Sequence, residues 1–87
     1  MILARNPATA WRLIEGEAVI LSMDTKVFRG LNAVSSRVWE LIDGRRSVDE
    51  IAQLIAHEFQ VAPDVAARDV RAFMEELLAK GLVTIAS

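Results

Sequence analysis

The run KVFRGLNAVSSRVWELIDG, residues 26–44, changes its period in the middle, and that change decides the fold. Over Lys26–Leu31 the pattern repeats every second residue. Val27, Arg29 and Leu31 fall on one face, and Lys26, Phe28 and Gly30 on the other, as in a half-buried strand. Asn32 is a good helix N-cap, and beyond it the apolar positions move to helical spacing. Val34, Val38, Leu41 and Ile42, with Trp39 beside them, form a stripe that Asp43-Gly44 stops.

Upstream of this switch the chain reads as strands. Trp11–Ile14 places Trp11 and Leu13 on one face, and Gly16-Glu17 suits a two-residue turn with glycine at its first central position. Ala18–Met23 puts Val19, Leu21 and Met23 on one side, and Asp24-Thr25 reads as the next turn. Residues 1–9 carry no periodicity, include the loop signal Asn6-Pro7, and are expected to be flexible.

Downstream it reads as helices. Ser47-Val48-Asp49-Glu50 is a capping box, and the helix it opens runs to about Phe59 with Val48, Ile51, Ala52, Ile55 and Phe59 inward. Pro63 and Asp64 suit the first turn of a third helix. Its inner face is Ala66, Val70, Phe73, Met74, Leu77 and Leu78, and Gly81 ends it. Leu82–Ala86 has room for a short closing strand. The expected fold is α+β: a winged-helix-like three-helix bundle preceded by a three-stranded antiparallel β-meander, one domain over residues 1–87.

Composition narrows the chemistry. Apolar residues are 53% of the 87 and charged ones 25%, the profile of a packed domain and not of a disordered one. There is no cysteine and one histidine, His57, so thiolate chemistry and a zinc cluster lack their parts. No catalytic residue, metal or cofactor is expected. The longest apolar runs are four residues, Met1–Ala4 and Ala18–Leu21, which argues against a membrane span or secretion signal and for a cytoplasmic protein. Residues 1–46 carry seven Lys/Arg against five Asp/Glu, and residues 47–87 three against seven. A nucleic-acid binder normally shows a basic face. Here the more helical half is acidic.

Most of the conspicuous side chains have an ordinary structural reading. Trp39, Phe59, Phe73 and Leu77 are expected in the core, and Trp11 is read as core in preference to a flap over the sheet. His57 is read as a solvated or half-buried helix residue. Asp49-Glu50 and Glu75-Glu76 are not carboxylate dyads, because adjacent helical residues point ~100° apart. Arg45-Arg46 follows a helix C-terminus, where positive charge is stabilising. Of Val27 and Phe28, one faces the helices and the other solvent, and alternation alone does not say which.

The run GLNAVSSRVWELIDGRRSVDEIAQLIAHEF, followed by VRAFMEELLAKGLV, resembles the PqqD-like proteins, also called RiPP recognition elements. The resemblance covers residues 18–83. It rests on Leu31-Asn32, Val38-Trp39-Glu40-Leu41 with Asp43-Gly44, Ser47-Val48-Asp49-Glu50-Ile51, Asp69-Val70, Phe73, Leu77 and Gly81-Leu82-Val83. Asp24-Thr25-Lys26 lacks the usual turn glycine, and Ser35-Ser36 stands where relatives often carry Gly-Ala. The Tyr-Pro-Glu segment associated with pyrroloquinoline quinone synthesis is missing, so the resemblance names a module and not its pathway. It implies a non-catalytic chaperone for a precursor peptide. The leader peptide is expected to add as a strand to the third strand, beside the third helix, for presentation to a modifying enzyme such as a radical SAM protein or a leader peptidase.

The residues are suited to that role. An edge strand displays unpaired N–H and C=O groups, a template for another strand. Lys26, Val27, Phe28, Arg29 and Gly30 are the candidate edge, with Lys26 and Arg29 guarding against self-pairing and Gly30 permitting close approach. On the third helix, Val65, Ala72 and the edge of Phe73 form a second apolar strip, with Arg68, Asp69 and Glu76 nearby. The same edge leaves homodimerisation open. The alternative reading is a winged-helix DNA-binding regulator. Its recognition helix, Asp64–Ala79, would set Arg68 and Arg71 against Asp64, Asp69, Glu75 and Glu76, a poor fit to phosphates.

Overall fold

Two-residue loops with both φ angles positive match the twist of paired strands, and Glu15 (φ 52°) and Gly16 (φ 82°) form such a loop. A computed structural model describes residues 1–87. The loop joins β2 (Thr9–Ile14) to β3 (Glu17–Ser22), with Ile14 opposite Glu17. The turn therefore lies one residue earlier than expected, and glycine takes its second central position. Lys26 has φ 60° and its N–H returns to the Ser22 carbonyl at 2.9 Å, so the next strand, β4 (Phe28–Gly30), starts later than Lys26. The sheet order is β2-β3-β4, which confirms the antiparallel meander and leaves β2 and β4 as its edges.

The first residues are ordered, contrary to the expectation for residues 1–9. β1 (Leu3–Arg5) pairs antiparallel with β5 (Val83–Ile85), Leu3 facing Ile85 and Arg5 facing Val83. Leu3 is 1% exposed, and its carbonyl accepts from the Gly44 N–H at 3.1 Å. A strand whose partner lies some eighty residues away leaves no local periodicity to read. The closing strand exists, but in this separate ribbon and not in the meander.

Three helices follow the meander: α1 (Ala33–Leu41), α2 (Val48–Phe59) and α3 (Pro63–Ala79). Asn32 caps α1 through the Ser35 N–H, and the Ser47–Glu50 box closes reciprocally at 3.0 Å in both directions. One core cluster joins Ala18 and Ile20 of the sheet to Val38, Trp39, Ile42, Ile51, Ile55, Val70, Met74, Leu77 and Leu82. Three residues expected to face inward lie at the surface. Phe59 is 37% exposed, because it is the last residue of α2 and the left-handed Gln60 (φ 53°) turns the chain away after it. Trp11 is 36% exposed on the edge strand β2; it meets Trp39 edge-on, centroids 6.2 Å apart, with the Arg5 guanidinium 4.9 Å from its own. Val34, in the expected stripe of α1, is likewise exposed.

Alternation in the strands was sound, and the helices decide which side it buries. Ala18, Ile20 and Ser22 of β3 face inward, whereas Val19 and Leu21 lie on the outer side. Ser36 pins α1 to this sheet: its hydroxyl accepts from the Ala18 N–H at 2.6 Å and donates to the Leu31 carbonyl at 3.4 Å.

Candidate functional site

In an antiparallel pair, alternate residues turn their backbone groups toward the partner and the others turn away. The Ser22 N–H reaches the Val27 carbonyl and the Leu31 N–H reaches the Ala18 carbonyl, both at 2.9 Å, with Arg29 opposite Ile20 between them. Val27, Arg29 and Leu31 therefore bond toward β3. Phe28 and Gly30 direct their N–H and C=O groups outward, and no strand lies beyond them. The contest between Val27 and Phe28 is settled by the same register: Phe28 is on the solvent side, 71% exposed, and Val27 is half-buried.

Arg29 points to the helix side and ties the edge to α3. Its Nη2 donates to the Glu76 carboxylate at 2.7 Å, and the Lys80 ammonium lies 3.6 Å from the other Glu76 oxygen. Both partners of the first pair keep about a third of their side-chain surface in water, so the pair contributes little stability, ~1 kcal/mol at most.

Just past β4 the chain enters α1, and a groove opens between α1, the end of α2 and the first half of α3. Val34, Val38, Ile55, Val70 and Phe73 make its apolar lining, with Ser35 and Asp69 at polar positions. Its volume of about 90 Å³ admits one or two side chains, whereas small-molecule sites run to ~300–1,000 Å³. One wall is braced by Arg37 of α1, which grips the Glu58 carboxylate of α2 at 2.9 and 3.0 Å. The Arg37 hydrogen bonds hold the Glu58 carboxyl below its ordinary value.

Of the residues singled out from sequence, the structure brings Arg29 to Glu76 and sets Asp69 and Phe73 in the groove. Val65 is half-buried outside the groove lining, and Ala72 and Arg68 are exposed; Arg68 meets only its neighbour Asp69, at 3.4 Å. Lys26 is exposed and forms no ion pair. Val61, after the end of α2, also lines the groove, and sequence reasoning missed both it and Val34 as groove residues. Val34 was assigned to the core stripe, and only its place at the start of α1, where the helix overhangs the core, marks it otherwise.

Comparison with known proteins agrees with this architecture. The family model described as coenzyme PQQ synthesis protein D (PqqD) matches residues 17–83. A PqqA binding protein of Gluconobacter oxydans (strain 621H) is 38% identical over 53 residues, covering 61% of this chain and 55% of the relative. The chain thus aligns with little more than half of that relative's length. The solved structure of TbiB1 in complex with the TbiA(beta) leader peptide superposes with a TM-score of 0.85 at 32% identity, covering 92% of this chain and 93% of the other. Lasso peptide synthetase B1 complexed with the leader peptide shares the fold, with a TM-score of 0.85 at 19% identity over 97% of this chain and 99% of the other.

Proposed function

The chain belongs to the PqqD family, and from that premise we propose that it binds the leader segment of a ribosomally made precursor peptide and presents it to a modifying enzyme. The observation that carries this reading is the open edge of β4, where Phe28 and Gly30 turn their backbone groups outward, with the apolar groove between α1, α2 and α3 opening a few residues further along the chain. An extended peptide added there makes main-chain bonds that demand little of its sequence, while the groove takes a side chain. Similar proteins support the choice of ligand: TbiB1, 32% identical, was solved with a leader peptide, and the Gluconobacter relative is a PqqA binding protein. Lys26–Gly30 with Val65, Arg68, Asp69, Ala72, Phe73 and Glu76 is the proposed docking surface, to which the groove adds Val34 and Val38. The role is carrying and orienting a peptide, and the chemistry belongs to the partner enzyme.

The DNA-binding alternative is the weaker reading. On α3, Arg71 is engaged by Asp49 at 2.7 Å and Arg68 lies against Asp69, so its two arginines already face carboxylates. No helix is long and apolar enough to cross a membrane.

The test is an NMR titration of isotope-labelled protein with the leader of the precursor encoded beside this chain's gene. Coupled ordering of a disordered leader leaves an expected dissociation constant of roughly 1 nM to 1 µM. Shifts should gather on Phe28–Gly30, Val34, Asp69 and Phe73. A spectrum unchanged at tens of micromolar peptide, or submicromolar binding to duplex DNA with a steep salt dependence, would sink the proposal.

A further inference from the structure

Gly30 has no structural reason to be glycine. Its φ lies outside the left-handed range that favours glycine, and a Cβ built on it meets nothing within 4 Å. Glycine inside a strand costs ~0.5–1 kcal/mol against alanine and packs nothing against its neighbours. In a strand of three residues that loss falls where it is least affordable. The conformation and the surrounding space both accept a larger side chain, so the missing one leaves an opening.

The opening has apolar neighbours. Gly30 pairs with Val19, and Phe28 pairs with Leu21, so all four sit on the outer face of the sheet. A shallow apolar groove of about 250 Å³, lined by Ala10, Trp11, Arg12, Val19, Leu21 and Phe28, adjoins the Gly30 position through Val19 and Phe28. Phe28 forms one side of it and stands largely in solvent. Arg12 makes no ion pair, and the only carboxylate on the outer face of these strands is Glu17, at the hairpin end.

We infer that Gly30 is a size-selective subsite: a strand added to β4 places a large apolar side chain, aromatic or long aliphatic, in the space above Gly30, against Phe28 and Val19. This rests on the peptide-binding reading above and specifies what kind of peptide is taken. Residues facing each other across a strand pair project from the same side of the sheet, so the peptide residue opposite Gly30 must emerge on the outer face. A large ring laid across a strand glycine restores the contact that the glycine lacks. The next peptide residue emerges on the other side, toward Arg29 and Glu76. The recognised segment is therefore extended, with its demand for bulk at the position opposite Gly30.

The experiment uses displayed random twelve-residue peptides selected against the full chain, and against Gly30→Val and Gly30→Ala. The wild type should enrich peptides with one position restricted to aromatic or long aliphatic residues. Gly30→Val, whose thermal midpoint should equal or exceed that of wild type, should bind those peptides at least tenfold more weakly. It should recover affinity when their bulky residue becomes glycine or alanine, with Gly30→Ala in between. If Gly30→Val binds the selected peptides as wild type does, the subsite is wrong while the peptide-binding reading stands. If no peptide is enriched by the wild type, that reading falls and the subsite with it. If light scattering shows a dimer that the selected peptides fail to dissociate and that Gly30→Val abolishes, a second copy and not a peptide fills the opening.

Discussion

Ser36 has no contact with solvent, and its hydroxyl completes the end of the β3–β4 ladder from a neighbouring helix. Replacing it by alanine leaves the Ala18 N–H buried without an acceptor. Ser36→Ala is therefore expected to destabilise the fold by about 1–3 kcal/mol in urea unfolding. In sequence, Ser35-Ser36 is only a departure from a small-residue pair, because a hydroxyl does not announce which distant amide it will meet. The β2–β3 loop shows a similar limit. Glycine at Gly16 suits either central position of a two-residue turn, and the register of the two strands, Ile14 opposite Glu17, decides between them. That register puts Glu15 at φ 52°, a region asparagine tolerates better. Glu15→Asn is expected to raise stability by about 0.5–1 kcal/mol, measured by the same unfolding assay.

At the scale of elements, α2 and α3 run as expected because their starts are written locally: a capping box at Ser47 and Glu50, a proline at Pro63. β4 is shorter than Lys26–Leu31 because Lys26 takes a left-handed conformation to return the chain from β3, and no residue type in Asp24-Thr25-Lys26 signals that. The outward N–H of Phe28 offers a clean test of strand addition. Phe28→Pro removes that donor without breaking a bond to β3, so peptide affinity should fall tenfold or more, about 1.4 kcal/mol, while the fold loses little. Phe28→Ala keeps the donor and isolates the ring's share. Titration calorimetry and a thermal melt separate binding from folding, and equal affinity in folded Phe28→Pro would rule out this edge.

Across the whole molecule, the β1–β5 ribbon holds the first residues against α2 and the α1–α2 loop. Ile2 bridges Ser47, and the Val48 N–H donates to the Met1 carbonyl at 2.8 Å. Leu3→Ala is expected to cost about 2–5 kcal/mol, a large share of a small domain's stability, and a silent mutation there would show the ribbon to be dispensable. Acid should weaken the fold as well. Arg37 lowers the Glu58 carboxyl, the Arg46 and Arg45 amides lower Asp43, and Arg71 lowers Asp49. With folded values depressed, the unfolded chain binds more protons. Stability is thus complete above the ordinary values of 4.5 and 3.8 and declines as pH falls below them. Urea midpoints taken from neutral pH downward should be flat and then drop. The exposure of these pairs keeps the drop modest, and Arg37→Met should reduce it further. The helices, the meander and the two-residue alternation were determined by sequence alone, because caps, turns and periodicity act between residues a few positions apart. Only the tertiary structure decided which side of each strand is buried, that β5 joins β1, and that β4 and the groove past Val34 stay open. Alternation has two equivalent answers, and the choice between them is made where the helices pack.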